Sequence, residues 1–293
     1  MNDSFQIDFL GIGPSKAGTT WLGHMLSAHP EICMAEPKEV HFFNDFISHN
    51  KLYDAPHYPL GLEWYAKHFS HCRGQKIKGE VTPRYLIDPV AAERIYAHNP
   101  NVKLIVCLRS PYKRIISHYH SAKDYHQSVT GGVSEVIREI PEFIDACRYY
   151  QNVSRYLPFF SLDNFFFVDM EEVKADPSSL LQKLYTFLGV DPNFIPKRLG
   201  EKSNPARRTK NVRFRKWSGK VHRSLVVMGL SPLVQFMKHL GVGKLLNRMN
   251  SQSIEKAVLT KEDRAYIRER IEGDVQKFGQ LIGRDFSHWL QEQ

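Results

Sequence analysis

Apolar residues at Ile7, Phe9, Leu10 and Ile12 read as a short buried strand, broken by Gly11, Gly13 and Pro14. From Thr19 to Leu26 the spacing turns helical, and residues 27–34 end that helix at a proline and begin another short strand. Residues 45–75 carry many Tyr, His and Pro with little period, so an irregular excursion is expected there, helical only from Leu62 to Phe69. A helix over Val90–Asn99 leads into the unbroken apolar run 102–108, as expected of a central parallel strand, and a further helix starts at Lys113. Helices are predicted over 133–139, 141–157 and 177–188, the last ending at Gly189, with a buried strand at 165–169 between them. Residues 224–249 are apolar enough for two short amphipathic helices, and a long helix spans 261–282.

Strand, tight loop and helix at 7–26 make an anion site, because the first amides of a helix lack internal partners and the helix dipole favours negative charge there. Gly18 permits close backbone approach to a phosphate, Thr19 and Thr20 add hydroxyls, and Lys16 adds a mobile cation. Gly13 to Gly18 has the spacing of a nucleotide P-loop, but position 19 is Thr and the lysine comes three residues earlier. The loop is built for a phosphate in another manner.

Composition narrows the class without choosing a ligand. The 293 residues are 42% hydrophobic and 12% aromatic, enough for a sizeable core and unlike a disordered chain. A net charge of +9 points to an anionic ligand, nucleic acid or a membrane surface. The N-terminal residues show no basic and apolar leader pattern and no run of 18 apolar residues occurs, so a soluble cytoplasmic protein is expected. Cys33, Cys72, Cys107 and Cys147 are far apart and are expected as reduced, mostly buried thiols. No histidine spacing suggests a metal.

Residues 14–21, Pro-Ser-Lys-Ala-Gly-Thr-Thr-Trp, closely resemble the 5′-phosphosulfate loop of sulfotransferases that use 3′-phosphoadenosine 5′-phosphosulfate (PAPS). The resemblance implies donor binding by Ser15, Lys16, Ala17, Gly18, Thr19, Thr20 and Trp21. Residues 37–44, Pro-Lys-Glu-Val-His-Phe-Phe-Asn, are similar to the segment carrying the catalytic glutamate of heparan-sulfate-type members. That implies Glu39 as general base; two residues apart in an extended segment, Glu39 and His41 would share a face. Lys78 to Leu86 resembles the family's Glu-Lys-Thr-Pro-x-Tyr segment, with Val81 where carbohydrate-sulfating members often have lysine. Residues 108–119 are similar to the 3′-phosphate motif, which implies that Arg109 and Ser117 grip that phosphate. Arginine's planar fork suits the task.

Nine lysines and arginines with no acid lie between Lys202 and Arg223. This run resembles the basic loop that closes over the nucleotide, with Arg207 and Arg208 as its candidates, and Gly283 to Trp289 resembles the family's ending. Glu171 and Glu172 are expected to cap and pair rather than catalyse.

The expectation is one α/β domain over residues 1–293, a P-loop-like three-layer fold with a mostly parallel central sheet flanked by helices, and 202–250 as a C-terminal subregion. It would transfer a sulfuryl group from PAPS, without a metal, to an acceptor hydroxyl on a saccharide, lipid or small alcohol. The alternatives are a nucleotide kinase or NTPase, disfavoured by Arg109 where a magnesium-binding acid would follow the strand, and a nucleic-acid- or membrane-binding module led by 202–223. The ordered phosphate motifs argue against nucleic acid as the partner; peripheral membrane contact stays open.

Overall fold

The computed structural model describes residues 5–48, 51–52, 56–126, 128–200, 207–209, 251–253 and 257–291. In chain order the elements are β1 (Phe9–Gly13), α1 (Thr19–Ala28), β2 (Ile32–Met34), β3 (Phe46–Ser48), β4 (Lys51–Leu52), α2 (Gly61–Ala66), β5 (Ile77–Val81), α3 (Ala91–His98), β6 (Lys103–Leu108) and α4 (Pro111–His120). There follow α5 (Val133–Glu139), α6 (Glu142–Asp145), α7 (Tyr149–Ser154), β7 (Phe165–Asp169), α8 (Met170–Ala175), α9 (Pro177–Leu188), β8 (Arg207–Thr209), β9 (Ser251–Ser253) and α10 (Lys261–Ile282).

Five strands form one parallel sheet in the order β2-β5-β1-β6-β7. Apolar residues alternate between its faces. Leu10 and Ile12 of β1, with Leu104, Val106 and Leu108 of β6, meet α3, α4 and α10 through Ile95, Ile115 and Ile271. Phe9, Ile105 and Cys107 face the other way, onto Leu22 and Leu26 of α1 and Leu181 and Leu184 of α9. Both faces are covered, which explains why the strands read as continuous apolar runs rather than alternating ones. The result is the expected α/β three-layer fold.

After β1 the chain crosses to β2 on one side of the sheet, and after β6 it crosses to β7 on the other. The carboxyl ends of β1 and β6 therefore border a topological switch point, where open α/β sheets bind ligands. No helix among the described residues is long and apolar enough to cross a membrane.

Two expectations are corrected. The helix predicted over 141–157 is split into α6 and α7, because Arg148 leaves the helical region at φ −81° and ψ 76°. At this break the Cys147 sulfur meets Arg114 and the Tyr149 hydroxyl meets the Arg109 backbone. Cys33 and Cys72 are not thiols but a disulfide, with Cα atoms 5.7 Å apart. Parallel pairing of Ile32 with Ile77 brings the approach to β5 alongside β2, so residues 39 apart in sequence meet. Cys107 and Cys147 are buried free thiols, as expected.

Candidate active site

Three left-handed positions turn the loop that follows β1. Gly13 has φ +121°, and a Cβ there would lie 2.1 Å from the Pro83 carbonyl oxygen. Lys16 has φ +68°, and Gly18 has φ +104° with a hypothetical Cβ 2.1 Å from Met170 Sδ, so this backbone admits only glycine at 13 and 18. Gly18 stands at the N-cap of α1 and has no side chain to offer the amides of the first turn, at Thr19, Thr20 and Trp21. Ala17, Thr19 and the Trp21 ring are buried, whereas Ser15, Lys16 and Thr20 are half-buried. Trp21 packs in the core and offers the loop only its backbone.

Arginines from α4 and its approach hold this loop from behind. Arg109 Nη1 donates to the Lys16 carbonyl at 2.9 Å, and fully buried Arg114 reaches the Ser15 carbonyl at 3.4 Å. Arg114 also donates to Cys147 Sγ and to the Phe143 carbonyl. The Tyr149 hydroxyl accepts the Arg109 N–H at 3.0 Å and donates to the Arg109 carbonyl at 2.9 Å, fixing the backbone from which the guanidinium projects. Ser117 sits half-buried farther along α4.

Glu39 faces the loop from the segment between β2 and α2. The segment is not extended as expected: His41 has φ +58°. Glu39 and His41 still meet, with His41 Nε2 3.7 Å from Glu39 Oε2, because the backbone turns there. Lys38 Nζ lies 2.8 Å from Glu39 Oε1, and His41 Nδ1 pairs with Asn44 Oδ1 at 3.2 Å. The Glu39 side chain remains 42% exposed. Burial works to raise its pKa, but the His41 hydrogen bond and the charge and hydrogen bond of Lys38 overcome this and hold it at about 2. The carboxylate is ionised at neutral pH.

In the loop after β1, burial pushes Lys16 below the usual lysine range; Glu39 opposes that shift, and Arg114, Lys38 and Arg109 add to it. This coupling joins the two loops, as does the Lys38 stem, whose Cδ lies 2.8 Å from where a Cβ on Gly23 of α1 would be. Val81 is buried, its methyls 2.8 and 2.9 Å from a hypothetical Cβ on Gly11. Its N–H donates to the Lys38 carbonyl at 3.2 Å, so a cation stands on the chain beside this position rather than on it.

The histidines of the excursion serve the Glu39 segment. His57 Nδ1 pairs with the Val40 carbonyl at 3.0 Å, and His68 Nδ1 with the Glu36 carbonyl at 2.9 Å. Among the described residues one cluster has metal-ligand character, Cys33, His71 and Cys72, and its two sulfurs are bonded to each other. Glu171 pairs with Lys113 and His288, and Glu172 with Arg284, as expected. Asp169, the acid at the carboxyl end of β7, accepts the Glu171 amide at 2.8 Å and lies 3.4 Å from Arg284. Arg207 and Arg208 lie in β8, paired with Ser253 and Gln252. The remainder of the proposed nucleotide-closing segment and the two amphipathic helices fall outside the described residues.

Sequence reasoning assigned no role to Arg114, Tyr149 or Lys38, which hold or flank the two loops. The pair Arg114–Cys147 carried no local signal, since its members are 33 residues apart.

The chain resembles known proteins along most of its length. A Dictyostelium discoideum membrane-associated sulfotransferase, kil1, is 40% identical over 116 residues, which are 39% of this chain and 22% of that protein. Human and mouse heparan sulfate glucosamine 3-O-sulfotransferase 5 are each 30% identical over 192 residues, 62% of this chain and 53% of theirs. The matched part thus spans about half or less of these relatives. The crystal structure of a sulfotransferase from Alicyclobacillus acidocaldarius shares the fold, with a TM-score of 0.66 at 23% identity over 97% of this chain and 99% of that one. The profile of the sulfotransferase domain matches residues 6–260, from just before β1 to the cap of α10, and the chain therefore belongs to the sulfotransferase domain family.

Proposed function

We propose that this chain transfers the sulfuryl group of PAPS to an acceptor hydroxyl, with Glu39 as general base. The observation that carries the reading is the opposition of an ionised, half-exposed carboxylate to Lys16 and an uncapped helix terminus at the switch point. Lys16 and the amides at Gly18, Thr19 and Thr20 hold the 5′-phosphosulfate, with Ser15, Ala17 and Trp21 shaping that loop. Arg109 and Ser117 hold the 3′-phosphate, and Arg207 and Arg208 are assigned to the nucleotide.

The acceptor oxygen forms a bond to sulfur in line with the bond that breaks, between sulfur and the 5′-phosphate oxygen. The hydroxyl proton passes to Glu39, and the charge that develops on the leaving phosphate oxygen falls on Lys16 and the loop amides. A base held at about 2 takes the proton late, once the acceptor hydroxyl has displaced Lys38 or His41 from its oxygens. His41 orients acceptor or base. Sulfated acceptor and adenosine 3′,5′-bisphosphate leave. Metal-nucleotide chemistry is disfavoured by the occupation of Asp169 as a helix cap and an ion-pair partner.

Calorimetric titration with adenosine 3′,5′-bisphosphate and adenosine 5′-phosphate tests the donor site. Binding that needs the 3′-phosphate and is lost in Arg109→Ala is expected; equal, weak binding of both, indifferent to the substitution, would overturn the reading. Label transfer from [35S]PAPS to heparan sulfate, 4-nitrophenol and a primary alcohol then identifies the acceptor class, the polysaccharide being tried first because two relatives act on heparan sulfate glucosamine.

A further inference from the structure

The last residue but one of β5 is a carboxylate that no solvent reaches. Glu80 is fully buried, and four donors converge on its two oxygens. Oε1 accepts the hydroxyls of Tyr65 and Tyr85, each at 2.7 Å. Oε2 accepts the Val40 N–H at 2.9 Å and the Thr82 hydroxyl. Burial, reinforced by the Glu80 charge, pushes both phenols well above their usual range, so they stay protonated and donate.

These bonds reach the backbone that carries Glu39. Val40 is the next residue, and its N–H is shared between Glu80 and Thr82 Oγ1, the latter at 3.2 Å. The Tyr85 hydroxyl, while donating to Glu80, accepts the Phe42 N–H at 2.9 Å. The peptides on the far side of Glu39 and of His41 thus hang from one anion fixed to a strand of the central sheet. A carboxylate is the one side chain that accepts four hydrogen bonds while offering no donor of its own.

We infer that Glu80 is the positioning residue for the general base: its buried carboxylate holds the Val40 and Phe42 peptides so that Glu39 stays against Lys38 and His41 and opposite Lys16. The inference rests on the reading of Glu39 as base. Glu80 itself is sealed from the crevice and touches no reactant.

Glu80→Gln is nearly isosteric but places an NH2 group against donors. Label transfer from [35S]PAPS to whichever panel member accepts it, nucleotide calorimetry and the pH profile of kcat are measured together. The expected result is a kcat lower by about 10–100-fold, affinity for adenosine 3′,5′-bisphosphate within about twofold of wild type, and an acid limb of kcat moved to higher pH as Glu39 drifts from Lys38 and His41. Thr82→Val removes one acceptor of the Val40 N–H and one of the four donors to the carboxylate while leaving the carboxylate itself in place, and should show the same signature in weaker form if Glu80→Gln fails to fold. Unchanged kcat and pH profile in a folded Glu80→Gln or Thr82→Val would overturn the inference. So would a nucleotide affinity that falls in proportion to kcat, because the carboxylate would then support the whole fold rather than one loop. Glu39→Gln separates the two readings: if it turns over like wild type, the assignment of the base fails; if it is inactive while both network variants behave like wild type, only the role of Glu80 fails.

Discussion

The loop after β1 and the segment carrying Glu39 face each other across one crevice and are built in opposite ways. The first is contiguous: the residues after β1, with left-handed positions at Lys16 and Gly18, and the start of α1 shape one backbone loop, which Arg109 and Arg114 brace only at the Lys16 and Ser15 carbonyls. The second, residues 35–45, has almost no regular structure of its own. It is held by groups far away in sequence: Glu80, Tyr85, His57, and Arg94, which forks onto Asp45 at 2.7 and 3.0 Å. Backbone geometry suits a ligand group that never changes, such as a phosphate. Side-chain suspension suits a carboxylate that must keep its place while the acceptors before it vary.

The comparison breaks most visibly under single substitutions at the two centres. Glu39→Gln should lower kcat by about 10²–10⁴-fold with nucleotide affinity unchanged, whereas Lys16→Met should lower both, as read by label transfer and calorimetry. Equal effects of the two on nucleotide affinity would erase the division between the halves.

A smaller effect comes from the disulfide, which closes the span containing the Glu39 segment and leaves the loop after β1 outside it. Replacing Cys33 and Cys72 together by Ser should cost about 2–4 kcal/mol in urea unfolding, and partial loosening should reach kcat before it reaches nucleotide binding.

The smallest effect is electrostatic. Because Glu39 is held at about 2, its partners contribute stability in full above the ordinary carboxylate range, lost as pH falls from that range toward 2, and on the proposed reading the base stays ionised until pH nears 2. Lys38→Met removes one of the two partners that hold it low, so the acid limb of kcat should rise toward an ordinary glutamate at about 4.3. A limb that stays put in the pH profile would assign the shift to His41 alone.

The same contrast explains what the sequence made legible. The loop after β1 is made of consecutive residues and can be read where it stands, and the apolar runs of β1 and β6 announced a sheet covered on both faces. The proximity of Glu39 and His41 was legible, but for the wrong geometric reason: His41 turns the chain instead of continuing a strand. Cys33–Cys72 stayed hidden because it depends on β2 and β5 being neighbours, a fact of strand order rather than spacing. The task of Glu80 was hidden for a like reason, since its partners come from Val40, Tyr65, Thr82 and Tyr85, which no single period relates.

The cations gathered about Lys16 also bear on how a catalytic cycle would close. Burial depresses Lys16, and repulsion from Arg114, Lys38 and Arg109 adds to that shift against the pull of Glu39. On the proposed reading the groups that relieve this repulsion are phosphates, and both phosphates remain on the nucleotide after the sulfuryl group has gone. The spent nucleotide is then held about as firmly as the donor it came from. Its departure, rather than the transfer, would set the pace of the enzyme, and the ratio of donor to product in solution would govern how much of it is free to work.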